Sequence, residues 1–370
     1  MVIVIAVFST LVALLFPAIQ SAKLENLKTT CADKIRKLGL ASQNYNSAFG
    51  SLPVHNFGSP KRERTETDLV ELPSRFAFSA FVVLLPYLDE VVLSEAIAKE
   101  EKVAGEPDSE YLTHTRQGAW TVIVDGLICP NEKLTGKKNL FYNKAAGSTN
   151  YLVSSGDIPF NWTRDANNPY SDIGVGRGTF KMKKSLQYND ITDGVSNTVM
   201  FSERCLGRRN SNYVTETYYA MCWKAGTTEP DPTGDGKKPL DFSVVYNNIA
   251  ANKYITRSIR MGHPFNQSAA VNNQGGKLWH KSDPLSTSFS TIFPPNGPSC
   301  MSNYHFAMAS TSYHIGGVNT CFADGSVHFI SNRINTGDLS LPPVKKGQSP
   351  YGIWGALGSA CGEDIVQIIF

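Results

Sequence analysis

The sequence predicts an α+β fold in which a long N-terminal α-helix leads into a mostly antiparallel, β-rich globular head with long loops. Three observations predict it. The first 49 residues are an uncharged apolar run followed by an apolar stripe at helical spacing, the remainder is rich in short strand-like runs separated by turn residues, and no βαβ alternation or GxxxxGK[ST] phosphate loop occurs. The domain reading follows, with residues 1–49 as the helix and residues 50–370 as the head.

Met1 to Ala22 (MVIVIAVFSTLVALLFPAIQSA) contains no charged residue, and a helix of that length can cross a bilayer core of ~30 Å. From Lys23 to Phe49 the apolar residues Leu24, Leu27, Cys31, Ile35, Leu38, Tyr45 and Phe49 recur at spacings of three, four or seven, with charges between them. One helix is therefore expected to run from apolar to amphipathic and to stop at Gly50. Pro17 is expected to kink it, since proline removes an N–H and its ring clashes with the preceding turn. A cleavable signal peptide would need a basic segment before the apolar run and a small-residue site after it. Neither stands here, and a simple anchor leaves the amphipathic half unexplained.

Residues 50–68 are polar and contain proline, so they read as loop. In Ser74–Glu100, Pro86 is expected to open a helix reaching about Lys99. Ala119–Cys129 (AWTVIVDGLIC) and Thr149–Ser155 (TNYLVSS) read as strands, and Gly174–Arg204 as strand pieces around a polar turn. Gly226–Asp241 and His280–Ser299 read as loops rich in Pro with Gly/Asp or Ser.

The chain has 370 residues, 41% hydrophobic and 18% charged, which is the composition of a folded protein. A net charge of +3, with KRER at Lys61–Arg64 the longest basic run, leaves no footprint for nucleic acid. Seven single cysteines without a C-x-x-C pair, and histidines without H-x-x-x-H spacing, predict no metal site of the zinc type. In an exported chain one to three disulfides are expected; Cys205 and Cys222 are the nearest pair.

Tyr313 to Ile330 (YHIGGVNTCFADGSVHFI) concentrates reactive side chains. A hydrolase would use His314 as base, Asp324 as orienter and Ser312 or Ser326 as nucleophile. The pattern is explained more simply as a hairpin over residues 313–330. Gly316 and Gly317 bend the chain into one strand, and Asp324-Gly325 forms a type I′ turn into the next. No catalytic residue is assigned, and His314 is expected to bond across the fold, to a carbonyl or to an acid within Ile191–Arg204, tethering the hairpin. In ITDGVSNTVMFSER (Ile191–Arg204), Asp193, Ser196, Asn197 and Glu203 offer oxygens that would suit Ca²⁺. The structural reading is a capped turn at Asp193-Gly194 feeding a strand, with Glu203 paired to Arg204 or Arg208. DPTGDG (Asp231–Gly236) opens like an EF-hand loop, but Phe242 stands where its closing Glu belongs. Trp120, Trp162, Trp223, Trp279 and Trp354 could stack on sugars; core positions explain them as well. No cofactor is assigned, Ca²⁺ being the one ion these donors would suit.

The N-terminal stretch resembles bacterial type IV pilin-like (pseudopilin) proteins with a prepilin-type N-terminal methylation segment. CADKIRKLGLASQNYNSAFGSLP, LLPYLDE, LICPNE, ITDGVSNTVMFSER and the final hairpin are similar, in order, to one large family of unknown function within that group. His314 and Asp324-Gly325 match the spacing of its prepilin-type processing-associated H-x9-DG domain. The usual Gly-Phe-Thr-Leu-x-Glu motif and basic leader do not stand in this chain, and are expected upstream in the reading frame. The resemblance implies a non-catalytic structural subunit of a cell-envelope or extracellular filament or secretion apparatus. Residues 1–22 would lie in the inner membrane, the head in the periplasm or outside the cell after assembly, and like or related subunits would pack along the helix. A membrane-anchored carbohydrate- or Ca²⁺-binding module that never polymerises is the alternative, and a secreted hydrolase using His314 the third reading.

Overall fold

The structure, a computed structural model, describes residues 2–55, 78–103, 118–132, 140–141, 144–145, 147–161, 176–181, 185–207, 219–221, 223–224, 240–243, 246, 275–282, 284–301 and 305–364. Within the first helix, the side chains of residues 2, 4–12 and 14 lie outside this set. The fold is α+β, a long helix followed by a mostly antiparallel β-rich head with long loops.

Helix α1, Val2–Phe49, runs through Pro17. It stops where expected, because Gly50 takes φ 72° and its N–H bonds to Asn46 O at 2.7 Å, a turn open to glycine without steric cost. Among the described residues no helix is long and apolar enough to cross a membrane. The Met1–Ala22 expectation falls largely on side chains outside the described set.

The main sheet of the described residues is built from β1 (Tyr151–Ser154), β2 (Val199–Glu203), β3 (Ser288–Phe289), β4 (Gly317–Phe322) and β5 (Val327–Ser331), in the order β5-β4-β2-β1-β3. All neighbours are antiparallel except β1 and β3. Every residue of β1, β2 and β4 is buried, since both faces of the sheet are covered. On one face Tyr151, Val153, Phe201 and Cys321 join Cys31, Ile35, Leu38 and Ala41 of α1. On the other, Leu152, Val199, Val318 and Phe322 pack against Trp354 and Leu357 of the helix Gly352–Gly358. A second sheet orders Phe160–Asn161, His305–Ala307, Ser299–Met301 and Tyr219–Met221.

Three sequence expectations are corrected. Ala119–Cys129 is not a strand but two 3₁₀ turns, Gly118–Thr121 and Asp125–Leu127. Val122 and Ile123 are exposed side by side while Val124 is buried, so the run lacks the alternation a half-buried strand needs. The helix expected from Pro86 is interrupted. Pro86 lies in a 3₁₀ turn, Leu85–Leu88, ended by Asp89 at φ 64°, and the longer helix starts at Val91 and ends at Val103. The His280–Ser299 connection is largely interior: Ser286, Thr287, Ser288 and Thr291 are buried, and β3 lies within it. Hydroxyl bonds such as Thr287 Oγ1 to Lys281 O, 2.5 Å, make that burial tolerable. DPTGDG, Lys61–Arg64 and Trp162 lie outside the described residues.

Candidate functional site

The hairpin β4–β5 closes by a different turn from the one expected. Gly325 N–H bonds to Phe322 O at 2.9 Å and Phe322 N–H to Ser326 O at 2.9 Å, so the loop has three residues. Gly325 alone takes positive φ, 84°, which is the type I turn with a glycine bulge rather than type I′. Asp324 Oδ1 accepts the Ser326 N–H at 2.8 Å, so this carboxylate shapes the turn as anticipated. Gly316 takes φ 92°, and a Cβ on Gly317 would run into Ile330 O, so both glycines are required where the chain enters β4.

His314 points away from Asp324. Its Nε2 lies 3.3 Å from Glu203 Oε1 and 3.7 Å from Cys129 Sγ, and its Nδ1 lies 3.4 Å from Asn131 Nδ2. Ser312 Oγ accepts the His314 backbone N–H at 3.0 Å. The ring nitrogens are thus directed at Glu203, Cys129 and Asn131, and the Ser-His-Asp arrangement is not formed. Glu203, expected beside Arg204 or Arg208, faces His314, and Arg208 lies outside the described residues. Glu203 accepts the backbone N–H of Asn319 at 2.8 Å and Asn319 Nδ2 at 2.9 Å. Its position at the end of β2, directly beside β4, aims the carboxylate across the sheet rather than along its own strand.

The turn read from the sequence is capped locally by Asn197, while the Asp193 carboxylate reaches the distant chain at Gly362 and Glu363. Asp193 accepts the N–H groups of Gly362 and Glu363 at 2.7 and 2.9 Å, and Asn197 Nδ2 donates to Asp193 O at 3.3 Å. Gly194 takes φ 97° and Ser196 is exposed. β2 separates this turn from Glu203, so the four oxygens proposed for Ca²⁺ do not converge. Trp120, Trp279 and Trp354 are core residues; the Trp223 side chain is outside the described set.

Cys31 and Cys129 form a disulfide with a Cα–Cα distance of 5.2 Å, joining α1 to the LICPNE segment. Cys205, one of the nearest pair in sequence, is a buried thiol, while Cys300 is disulfide-bonded. The disulfide abuts His314 and Glu203. Ligand-capable atoms of Cys31, Cys129, Glu203 and His314 all lie within 4.8 Å of one another, and all four residues are buried. A small cavity lined by Cys129, Asn131, Glu203, Arg204 and Thr311 adjoins them. Spacing rules miss this set because its members are far apart in sequence. The one available signal is that each lies in a different segment of the resemblance.

Helix α1 is fastened at the same place. Tyr151 Oη donates to Cys31 O at 3.2 Å, Asn319 Nδ2 to Lys28 O at 3.2 Å, and Lys34 Nζ meets Asp125 Oδ2 at 2.8 Å. Burial pushes the Cys321 thiol up to about 12, with Asp324 adding to it, so this neighbour stays protonated and is an unreactive core group.

Residues 28–337 match the family described as a protein of unknown function, DUF1559, and the chain belongs to that family. No curated protein and no solved structure matches it. The family match begins at Lys28, where α1 starts to bond with the head.

Proposed function

We propose that this chain is a pseudopilin-like structural subunit of a cell-envelope or extracellular filament or secretion apparatus, with no catalytic role. One observation carries the reading. The second half of α1 is core, with Cys31, Ile35, Leu38 and Ala41 fully buried, whereas Leu15, Phe16, Ile19 and Leu24 of the first half are exposed apolar side chains. A helix built into its head at one end and apolar on its surface at the other needs a second apolar environment, either lipid or like helices. The resemblance supplies both, an inner-membrane phase followed by assembly with like or related subunits, and His314 with Asp324-Gly325 is its H-x9-DG element.

Site-directed cross-linking tests this. In a Cys361→Ser background, which removes an exposed thiol, Ile19→Cys chains expressed in a cell from the genomic reading frame should form disulfide-linked dimers between neighbouring helices. Cross-linking no greater than that of an exposed position on the head, such as Ile315→Cys, would overturn polymerisation and favour the anchored binding module.

A further inference from the structure

We propose that Cys31, Cys129, Glu203 and His314 form a redox-gated metal site: the disulfide is its closed form, and its reduction opens a four-donor site for one Zn²⁺-like divalent cation. The donor chemistry is that of tetrahedral zinc, two thiolates, one imidazole and one carboxylate. The geometry is already most of the way there. With Zn–S near ~2.3 Å and Zn–N or Zn–O near ~2.1 Å, a tetrahedron has edges of ~3.4 Å between N and O and ~3.6 Å between S and N. His314 Nε2 to Glu203 Oε1 is 3.3 Å and Cys129 Sγ to His314 Nε2 is 3.7 Å. The sulfur pair must separate to ~3.8 Å once its bond is broken, and the remaining donor pairs, all within 4.8 Å, must close to tetrahedral edges.

The surrounding groups support the ligands. Asn319 bonds both Glu203 oxygens, and the Asn131 amide beside His314 Nδ1, once turned to present Oδ1, accepts the Nδ1–H that a His314 ligating through Nε2 carries. Such outer contacts fix the orientation of a ligating carboxylate and imidazole. Two thiolates and a carboxylate around a dication leave one net negative charge, and the buried Arg204 is among the residues lining the adjoining cavity.

The chemistry balances with a dithiol as reductant. Two electrons from the dithiol break the Cys31–Cys129 bond, its two protons pass to the cysteine sulfurs, and the dithiol leaves as its own cyclic disulfide. The cation then displaces both thiol protons to solvent. Either form ties α1, the 129–132 turn, β2 and the hairpin entry together, so the helix stays docked in a reducing or an oxidising compartment.

Cobalt provides the test. The full chain, reduced with dithiothreitol and desalted anaerobically, is titrated with Co²⁺ and then Zn²⁺. Thiolate-to-cobalt charge-transfer bands and tetrahedral d–d bands should saturate at one Co²⁺ per chain, bleach with Zn²⁺, and be absent from the oxidised chain. Glu203→Gln and His314→Gln, checked for folding by circular dichroism, should weaken binding about tenfold or more. Cys361→Ser should change nothing. Absence of thiolate bands on the reduced chain overturns the proposal. So does their survival in Cys31→Ser or Cys129→Ser, which would place the metal on other thiols, or unchanged affinity in both glutamine variants.

Discussion

His55 shows how one residue sets the acid limit of the fold. Its Nδ1 accepts the Ala80 N–H at 3.3 Å and its Nε2 contacts Ser288 Oγ at 2.8 Å, an arrangement that suits the neutral ring with its proton on Nε2. Burial holds its pKa down to about 3, against a weaker upward pull from the Ser282 backbone. The unfolded chain takes up a proton near pH 6.5 and the folded chain does not, so stability is complete above that pH and is lost as pH falls toward about 3. The loss is on the order of 3–5 kcal/mol. Asp157 works in the opposite sense. Burial raises its carboxyl to about 6 despite the Arg177 guanidinium, so its contribution is complete below the ordinary carboxylate pKa and is lost as pH rises through about 6. Melting temperatures followed from pH 7 to pH 4.5 should therefore fall less steeply in His55→Gln and more steeply in Asp157→Asn than in the parent. Parallel curves for all three would contradict both assignments.

At the scale of elements, the contact between α1 and the β4–β5 hairpin depends on a missing side chain. A Cβ on Gly39 would lie 2.6 Å from Cys321 Sγ and 3.5 Å from Gly325 Cα, so helix and hairpin approach as closely as backbones allow. Gly39→Ala would gain helix propensity on an isolated helix, yet here it should destabilise the protein by about 1–3 kcal/mol through overpacking. Cys321→Ala removes the opposing sulfur, so the double variant Gly39→Ala/Cys321→Ala should recover part of that loss in a denaturant cycle. Strict additivity would show that the two positions do not press on each other. Gly39 lies next to Leu38 of the amphipathic stripe read from the sequence, but only its neighbour across 282 residues explains why it is not alanine. The turn was legible as a hairpin from Asp324-Gly325, while its type depended on where the strand pairing ends.

For the whole molecule, the Cys31–Cys129 disulfide closes a loop of 98 residues between α1 and the head. Loop closure of that length is worth about 4–5 kcal/mol in the chain-entropy picture, and native disulfides typically give about 2–5. In the absence of added metal, Cys31→Ala/Cys129→Ala should lower the unfolding free energy by about that amount. Limited proteolysis should then cut within residues 23–34, which the parent protects. Equal protection in both would mean that packing of Ile35, Leu38 and Ala41 holds the helix without the cross-link.

The sequence by itself determined the elements whose signals are local: the helix to Phe49 and its glycine stop, the strand at Tyr151–Ser154, the hairpin at Asp324-Gly325 and the turn at Asp193-Gly194 capped by Asn197. Period, proline, glycine and short polar side chains act over a few residues, so one chain suffices to read them. Only the tertiary structure decided that Ala119–Cys129 bends instead of extending, that Glu203 faces His314, and that Cys31 meets Cys129. Those outcomes depend on which strands become neighbours, and residues 31, 129, 203 and 314 share no local pattern until the sheet and helix bring them within 4.8 Å.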